Sequence, residues 1–134
     1  MEAAYEATTN EMTVQVRVDY LRQHSTPKAG RFCWAYHITI INHRAETVQL
    51  LNRSWEITDA HGYTQRVEGE GVVGKQPVLG PGDRFSYSSA VPLATPTGFM
   101  VGTYYMRILP TGRAFSVAVP AFGLDSPFED SERH

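Results

Sequence analysis

Apolar and polar residues alternate at every second position along several stretches of this chain. Between Met12 and Tyr20, methionine and valines are separated by threonine, glutamine and arginine. Because successive side chains of a strand point to opposite faces, this pattern predicts a strand with one buried face. Residues 31–42 predict a longer, central strand, since aromatic and β-branched residues recur there. The positions expected to face the core are Phe32, Trp34, Tyr36, Ile38 and Ile40.

Five further segments have a strand-like pattern and are separated by turn residues. They are residues 47–59, 63–67, 84–91, 99–109 and 114–119. In the first of them the alternation slips near Leu50 and Leu51, which predicts a β-bulge, and Trp55 and Ile57 continue the inward face. The last two segments are joined by a Pro-Thr-Gly sequence, which predicts a hairpin.

This succession of short strands, without an amphipathic helix, predicts an all-β protein. We expect a β-sandwich of the fibronectin type III or immunoglobulin type, with about seven antiparallel strands, and a barrel is the alternative. The sandwich domain is expected to span residues 1–122, with residues 1–10 as a loosely held lead-in. Residues 123–134 are acidic and contain serine and proline, so we expect a flexible C-terminal tail.

Length and charge narrow the functional classes. A chain of 134 residues suits a single domain. Its 12 basic and 14 acidic residues give a net charge of -2, which lacks the concentrated positive charge that nucleic-acid binding requires. The apolar runs are far shorter than the roughly 20 residues needed to cross a bilayer. We therefore expect no nucleic-acid partner and no membrane insertion.

Cysteine content and the N-terminal sequence point to the compartment. Cys33 is the only cysteine, so it cannot form an internal disulfide. Residues 1–6 lack the basic-then-apolar layout of a secretion signal. Both observations predict a cytoplasmic protein.

A glycine-rich stretch at residues 68–77 is the one segment that looks like a site. Its three glycines follow a G-x-G-x-x-G pattern, which in dinucleotide-binding proteins must join a strand to a helix. Here Pro77 follows soon after the last glycine and no helical pattern comes next. Lys75 is not followed by Ser or Thr, which also excludes a P-loop.

Two interpretations of the stretch remain. In the first, the glycines permit positive φ in a tight loop that crosses between sheets, with Val72 and Val73 tucked into the edge of the core, and the loop is either purely structural or binds a protein. In the second, backbone N–H groups form a concave anion site to which Lys75 adds charge, although Glu68 and Glu70 oppose it. The candidate binding residues are Gly69, Glu70, Gly71, Val72, Val73, Gly74, Lys75 and Gln76.

Other reactive side chains form no recognisable pattern. The histidines lack the short spacing of a metal-ligand pair; a cation held by His37, His43 and a carboxylate is conceivable, but surface histidines are the preferred interpretation. Cys33 has no evident activating partner. Ser86, Ser88 and Ser89 lack a nucleophile-elbow context, and we predict neither a triad nor an enzyme.

Several longer motifs together are more specific than the glycines alone. They are Arg53-x-Trp55-x-Ile57-Thr58-Asp59-x-x-Gly62, Val67-x-Gly69-Glu70-Gly71-Val72-Val73-Gly74-x-Gln76-Pro77-Val78-Leu79, Pro81-Gly82, and Thr95-Pro96-x-Gly98-x-Met100-x-Gly102-x-Tyr104-x-Met106. With them the chain resembles the ApaG (CorD) family from about residue 5 to residue 122. The turn at residues 109–112 departs from the more acidic turn of that family.

The resemblance implies a fibronectin type III-like sandwich, found alone in bacteria and, in eukaryotes, attached to F-box and polymerase-interacting proteins. It also implies an association with cobalt and magnesium tolerance, and it supplies no catalytic residues and no cofactor. We expect a non-enzymatic module that binds a protein partner through the glycine-rich loop and the sheet surface, as a monomer or homodimer. The alternative is a protein that binds a small anion, such as phosphate or pyrophosphate, or a divalent cation.

Overall fold

Two antiparallel sheets stack face to face in the computed structural model, which describes residues 5–128. Their strands are β1 (Tyr5–Thr9), β2 (Met12–Tyr20), β3 (Phe32–Asn42), β4 (Thr47–Asp59), β5 (Thr64–Glu70), β6 (Val78–Leu79), β7 (Arg84–Leu93), β8 (Gly98–Leu109) and β9 (Arg113–Leu124). Two 3₁₀ turns, Arg22–His24 and Pro27–Ala29, lie between β2 and β3. The predicted all-β sandwich is confirmed, and the barrel alternative is wrong because the strands divide into two sheets.

The strand order places the glycine-rich stretch at a sheet edge. The first sheet has the order β1-β2-β3-β7 and the second has the order β5-β4-β8-β9. β8 pairs with β4 along its whole length, while β5 and then β6 pair with the opposite edge of β4. The stretch at residues 71–77 therefore joins two strands on one edge of one sheet. The expectation that it crosses between sheets is wrong.

The inward faces follow the predicted alternation. All five positions of β3 that were expected to face the core are buried, and Trp34 is wholly buried. In β4 the register shifts between Leu50 and Asn52, which confirms the predicted bulge. Beyond this shift Trp55 is buried, and its ring contacts Tyr36 of the first sheet at 5.6 Å between centroids. The aromatic side chains thus join the two layers.

The N-terminal segment is more ordered than its sequence predicts. Residues 5–9 form β1, which pairs with β2 from Met12 to Val16. The expected loose lead-in is wrong for these residues, because pairing and contacts with a distant strand stabilise a segment with little apolar pattern of its own. Residues 1–4 lie outside the described part of the chain.

The sandwich also extends beyond its predicted boundary at residue 122. β9 ends at Leu124, whose side chain is fully buried. The indole N–H of Trp34 donates a hydrogen bond to the carbonyl of Asp125 at 2.7 Å, and Phe128 packs against the core. The expected flexible tail is therefore wrong for residues 123–128, while residues 129–134 lie outside the described part of the chain.

The two long sides of the sandwich differ. On the side we call the closed edge, β1 contacts β9: the Asn10 side-chain amide donates to the carbonyl of Ser116 at 2.8 Å, and the Gly123 N–H donates to the Tyr5 hydroxyl at 3.1 Å. On the other side, the open edge, β5 and β7 end their sheets. Within residues 5–128 no helix is long and apolar enough to cross a membrane.

Candidate functional site

The glycine-rich stretch is divided between a strand and a tight turn. Gly69 and Glu70 belong to β5, and the Gly71 N–H donates to the carbonyl of Leu51 at 2.7 Å. Val72 and Lys75 then exchange two backbone hydrogen bonds, which makes residues 72–75 a miniature hairpin. We call residues 71–77 the glycine loop.

Two of the glycines have the positive φ that the sequence predicts. Gly71 has φ +62°, and a Cβ at this position would lie 2.2 Å from the carbonyl oxygen of Lys75. Gly74 has φ +80° with open space around it. At Gly69 the lack of a side chain leaves room for Arg53, since a Cβ there would lie 2.7 Å from a guanidinium nitrogen of that residue.

The two valines of the glycine loop have opposite environments. Val72 is fully buried, as expected, but Val73 is 52% exposed. Expecting Val73 in the core edge was wrong, because this residue lies in the exposed turn between the paired residues Val72 and Lys75. Val73 also has φ +43°, and a β-branched residue rarely adopts that conformation because its side chain crowds the backbone. The loop therefore holds an apolar side chain in solvent on a strained backbone.

Hydrogen bonds within the glycine loop bear on its use as an anion site. The N–H groups of Gly71, Val72 and Lys75 all donate to backbone carbonyls. The Gln76 side-chain amide donates to the carbonyl of Leu51 at 3.0 Å, which ties the loop to β4. Backbone donors needed for a concave anion site are thus already in use at three of its positions. Lys75 and Glu70 are exposed.

Arg53 lies beneath the glycine loop on the inner face of β4. Its Nη1 donates to the carbonyls of Glu70 and Gly71 at 3.1 and 3.0 Å, and the guanidinium lies across Gly69. The side chain is half-buried. Among residues 5–128, no carboxylate forms a salt bridge with it. Arg53 is thus a partly desolvated cation without an anionic partner in the described chain.

A cleft of about 350 Å³ opens beside Arg53, between β5 and β7 on the open edge. Most of its lining residues are apolar, and the glycine loop contributes two valines to one end. The lining residues used below are Arg53, Trp55, Ile57, Val72, Val73 and Ser89. The cleft gives solvent access to the space between the sheets, with one cationic group at its rim.

A pair of tyrosines crosses from one sheet to the other beside this cleft. The hydroxyls of Tyr87 in β7 and Tyr104 in β8 are hydrogen-bonded to each other and buried. Burial raises the pKa of Tyr87 above its usual value, and it raises the pKa of Tyr104 as well, because the charged phenolate would lose its hydration. Both groups are therefore neutral donors and acceptors at neutral pH.

A second cluster of polar side chains lies on the outer face of the first sheet. The ring of His37 contacts the Ser88 hydroxyl through Nδ1 at 2.6 Å and an Asp19 carboxylate oxygen through Nε2 at 2.9 Å. Sequence inspection missed this Ser-His-Asp arrangement because it depends on the register of β2, β3 and β7. We call this cluster the outer ladder.

The composition of the outer ladder matches a solvated sheet face. Arg17 also binds Asp19 at 2.8 Å, and in the next row the hydroxyls of Thr39 and Ser86 are 2.9 Å apart. Such repeating cross-strand pairs stabilise exposed sheets in general. A hydrolase needs in addition positioned donors for the oxyanion, and Ser88 lies within a strand rather than on a sharp turn.

The other reactive residues are in ordinary structural positions. An Asp59 side-chain oxygen accepts hydrogen bonds from the N–H groups of His61 and Tyr63, as in a turn. Cys33 is a free, half-buried thiol in β3. In the described range, 5–128, no group of three or more His, Cys, Asp or Glu side chains could hold a metal ion.

Arg53 is the functional candidate that sequence inspection missed, although a signal for it was present. The predicted bulge at residues 50–51 shifts the alternation, and Trp55 and Ile57 were placed on the inward face. Counting back by two from Trp55 reaches Arg53. An inward-facing arginine in a central strand, at the same face as two large apolar residues that follow it, was therefore readable from the sequence.

Comparisons with known proteins agree on one family. The model of the ApaG domain matches residues 22–108. ApaG proteins of Rhodospirillum centenum and Paramagnetospirillum magneticum are 54% identical over 123 residues and 53% identical over 125 residues, which cover 92% and 93% of this chain and 94% and 95% of theirs. A crystal structure from Bordetella pertussis described as ApaA has a TM-score of 0.83 at 40% identity, covering 87% of this chain and 94% of its own. This chain belongs to the ApaG family.

Proposed function

We propose that this protein is a non-catalytic binding module of the cytoplasm, and that it binds a protein partner through the glycine loop and the neighbouring cleft. The observation that carries this proposal is Val73. Its side chain is held in solvent at φ +43°, beside an opening whose lining residues are mostly apolar. Backbone strain of this kind costs about 1–3 kcal/mol and persists where the surrounding structure enforces it. A partner that buries Val73 would account for why the protein keeps this apolar side chain exposed on a strained backbone.

The open edge supports the same proposal. β5 and β7 each end a sheet, so each offers one backbone edge to an incoming extended segment. The cleft between them would take apolar side chains of that segment, and the glycine loop is tied to β4 through Arg53 and Gln76. A surface that is rigid before binding loses less entropy when the partner docks.

A small anion is the second candidate, and Arg53 rather than the loop backbone favours it. The guanidinium lacks a salt bridge within the described residues, whereas three loop N–H groups already donate. Titration of the protein with sodium pyrophosphate, followed by amide NMR, tests this candidate, with cobalt and magnesium chloride in separate arms. Saturable shifts around residues 53 and 69–75 would support it, and their absence up to millimolar concentration would contradict it.

Site-specific photo-cross-linking tests the protein-binding proposal. A photoreactive amino acid at position 73 should capture a discrete partner from cell extract. The matched control carries it at Phe99, which is 45% exposed and lies outside the cleft. Identical cross-linked species from both positions would overturn the proposal.

Three further variants add a structural control to the cross-linking. Ser89→Tyr should abolish capture because the larger side chain fills the cleft, whereas Ser88→Tyr, one residue along β7 and on the opposite face, should not. Val73→Asn removes the apolar contact while favouring positive φ, so it should weaken capture without unfolding the protein. Thermal unfolding of each variant separates loss of binding from loss of fold.

A further inference from the structure

We propose that the cleft on the open edge binds the C-terminal residues of the partner, with the terminal carboxylate on Arg53 and apolar side chains over Trp55 and Ile57. This rests on the proposed function and specifies the chemistry of the segment that binds. Four features of the cleft carry it: the free donors of Arg53, the spacing of the floor residues, the position of the glycine loop and the volume.

The guanidinium of Arg53 is positioned to receive an anion. Arginine has five N–H donors, and here the hydrogen bonds to Glu70 and Gly71 both come from Nη1. Within residues 5–128, Nε and Nη2 donate to no protein acceptor. A carboxylate matches the planar donor edge of a guanidinium in a bidentate way. The same carbonyl contacts hold the group in place before any ligand arrives.

The floor of the cleft has the spacing of an extended peptide. Arg53, Trp55 and Ile57 occupy successive inward positions of β4, and all three line the cleft. Inward positions of a strand are about 6.5–7 Å apart, since each residue advances by about 3.3 Å. An extended ligand has the same repeat on one of its faces. A carboxylate at Arg53 therefore places alternate side chains of the ligand near Trp55 and Ile57.

The glycine loop favours a chain terminus over an internal acidic residue. The loop is bound to Leu51, which precedes Arg53 in β4, so it stands at the end of the cleft beyond the guanidinium. Val72 fills this end from the core side, and Val73 borders the opening. A peptide that runs along β4 toward Arg53 meets this wall. A chain that ends there avoids it, whereas an internal acidic residue would require the following residues to turn out of the cleft.

The volume fits a short segment. A cleft of about 350 Å³ is at the small end of the range for ligand sites, and it suits one or two apolar side chains rather than a folded surface. The outer ladder offers a comparable opening, but its arginine and histidine already contact Asp19. Arg53 also borders a second opening, but Glu68 and Glu70 line it, and their negative charges oppose a carboxylate. Charge complementarity thus assigns the carboxylate to the cleft.

Peptide titration tests this assignment with the intact protein. The probe is the acetylated peptide Gly-Ser-Leu-Ser-Leu with a free C-terminal carboxylate, and the matched control is the same peptide with a C-terminal amide. Amide NMR should show saturable shifts at residues 53–57, 67–73 and 87–91 for the free acid. Amidation should weaken binding by about tenfold or more, because hydrogen bonds to a charged group are lost. Equal binding of the two peptides, or no saturable binding by the free acid, would overturn the assignment.

An amidated peptide that carries an internal glutamate tests the terminal position. We expect it to bind as weakly as the amidated control, and binding as tight as that of the free acid would overturn the choice of a chain terminus. Ser89→Tyr should abolish binding of the free acid and Ser88→Tyr should preserve it. Arg53→Gln should remove the preference for the free acid, whereas the outer-ladder variant Arg17→Gln should retain it.

The cross-linking and titration results separate the two proposals. Capture of a partner through Val73 together with equal binding of acid and amide peptides would overturn only the C-terminal assignment. Loss of both capture and peptide binding would overturn the proposed function as well. Preferential binding of the free acid, blocked by Ser89→Tyr, supports the assignment even if the partner is scarce in the extract used.

Discussion

The closed and open edges show two ways in which one sandwich treats its sides. At the closed edge, Tyr5 reaches across to β9, where its ring lies 6.1 Å from that of Phe122 and its hydroxyl accepts the Gly123 N–H. At the open edge, β5 and β7 leave a cleft with a strained loop and Arg53 beside it. Contacts at the closed edge hold the two sheets together, whereas contacts at the open edge hold the glycine loop and the cleft in one conformation. Mutations at the closed edge should therefore affect stability alone, whereas mutations at the open edge should affect binding as well as stability.

The largest change in the free energy of unfolding should come from a substitution in the glycine loop, at the open edge. Gly71→Ala is expected to lower the free energy of unfolding by about 2–4 kcal/mol, because positive φ costs about 1 kcal/mol and the new Cβ would meet the Lys75 carbonyl. Urea unfolding measures the change. Gly74→Ala is the control, with positive φ but open space, and should cost about 1 kcal/mol. Equal losses at the two positions would show that the loop moves aside without penalty.

Removal of a side chain at the closed edge should follow in size. Tyr5→Ala is expected to cost about 2–3 kcal/mol, since it deletes a half-buried aromatic ring and one hydrogen bond. Tyr63→Ala, at a side chain that is 75% exposed, should change the free energy of unfolding by less than about 0.5 kcal/mol. Chemical denaturation distinguishes the two. A change at Tyr5 as small as that at Tyr63 would mean that β1 contributes nothing to closing this side.

The buried tyrosine pair beside the cleft should make stability fall at alkaline pH. Burial raises the pKa of Tyr87 and Tyr104 in the folded state, so below about pH 10 both groups keep their protons in folded and unfolded chains alike. Above that pH the unfolded chain releases protons that the folded chain retains. The free energy of unfolding should then decrease by about 1.4 kcal/mol per pH unit for each tyrosine.

The double variant Tyr87→Phe/Tyr104→Phe provides the comparison for this pH dependence. It should flatten the alkaline slope measured by urea unfolding between about pH 9.5 and pH 11.5. Tyr63→Phe, at an exposed position, should leave the slope unchanged. A slope unaffected by the double variant would show that the two hydroxyls ionise normally in the folded protein.

The smallest effect is expected away from both edges, in the outer ladder. Ser88→Ala should change the free energy of unfolding by less than about 0.5 kcal/mol, because exposed cross-strand polar pairs contribute little. The protein should also resist labelling by a fluorophosphonate serine probe, as measured by intact mass. Covalent labelling that Ser88→Ala removes would contradict the structural interpretation of the ladder and identify a reactive serine.

Local patterns predicted much of this fold because strand alternation is itself local. The bounds of β2 and β4, the inward face of β3 and the bulge in β4 all agree with the sequence. β1 was missed because its order comes from pairing with β2 and contacts with β9, and not from an apolar pattern of its own. The end of β9 and the packing of Phe128 were missed because the acidic composition of the C-terminal residues suggested a flexible tail. Leu124 and Phe128 are instead held by contacts with the core.

The candidate site was predictable only in part. Positive φ at Gly71 and Gly74 follows from the preference of glycine for tight turns, but the same conformation at Val73 depends on the surrounding structure. The outer ladder depends on strand register, which a single sequence leaves open. The cleft depends on where two sheet edges remain apart, and this is a property of the assembled sandwich.

The hydroxyl pair of Tyr87 and Tyr104 has a mechanical consequence. Apolar contacts between layers lack direction, so on their own they resist separation of the sheets better than sliding. The hydrogen bond between the two tyrosines connects one sheet to the other and depends on both distance and angle. Sliding by a single residue step would break it and leave two buried hydroxyls without each other as partners. The bond therefore opposes sliding of one sheet over the other. It thereby helps to hold the width of the neighbouring cleft constant.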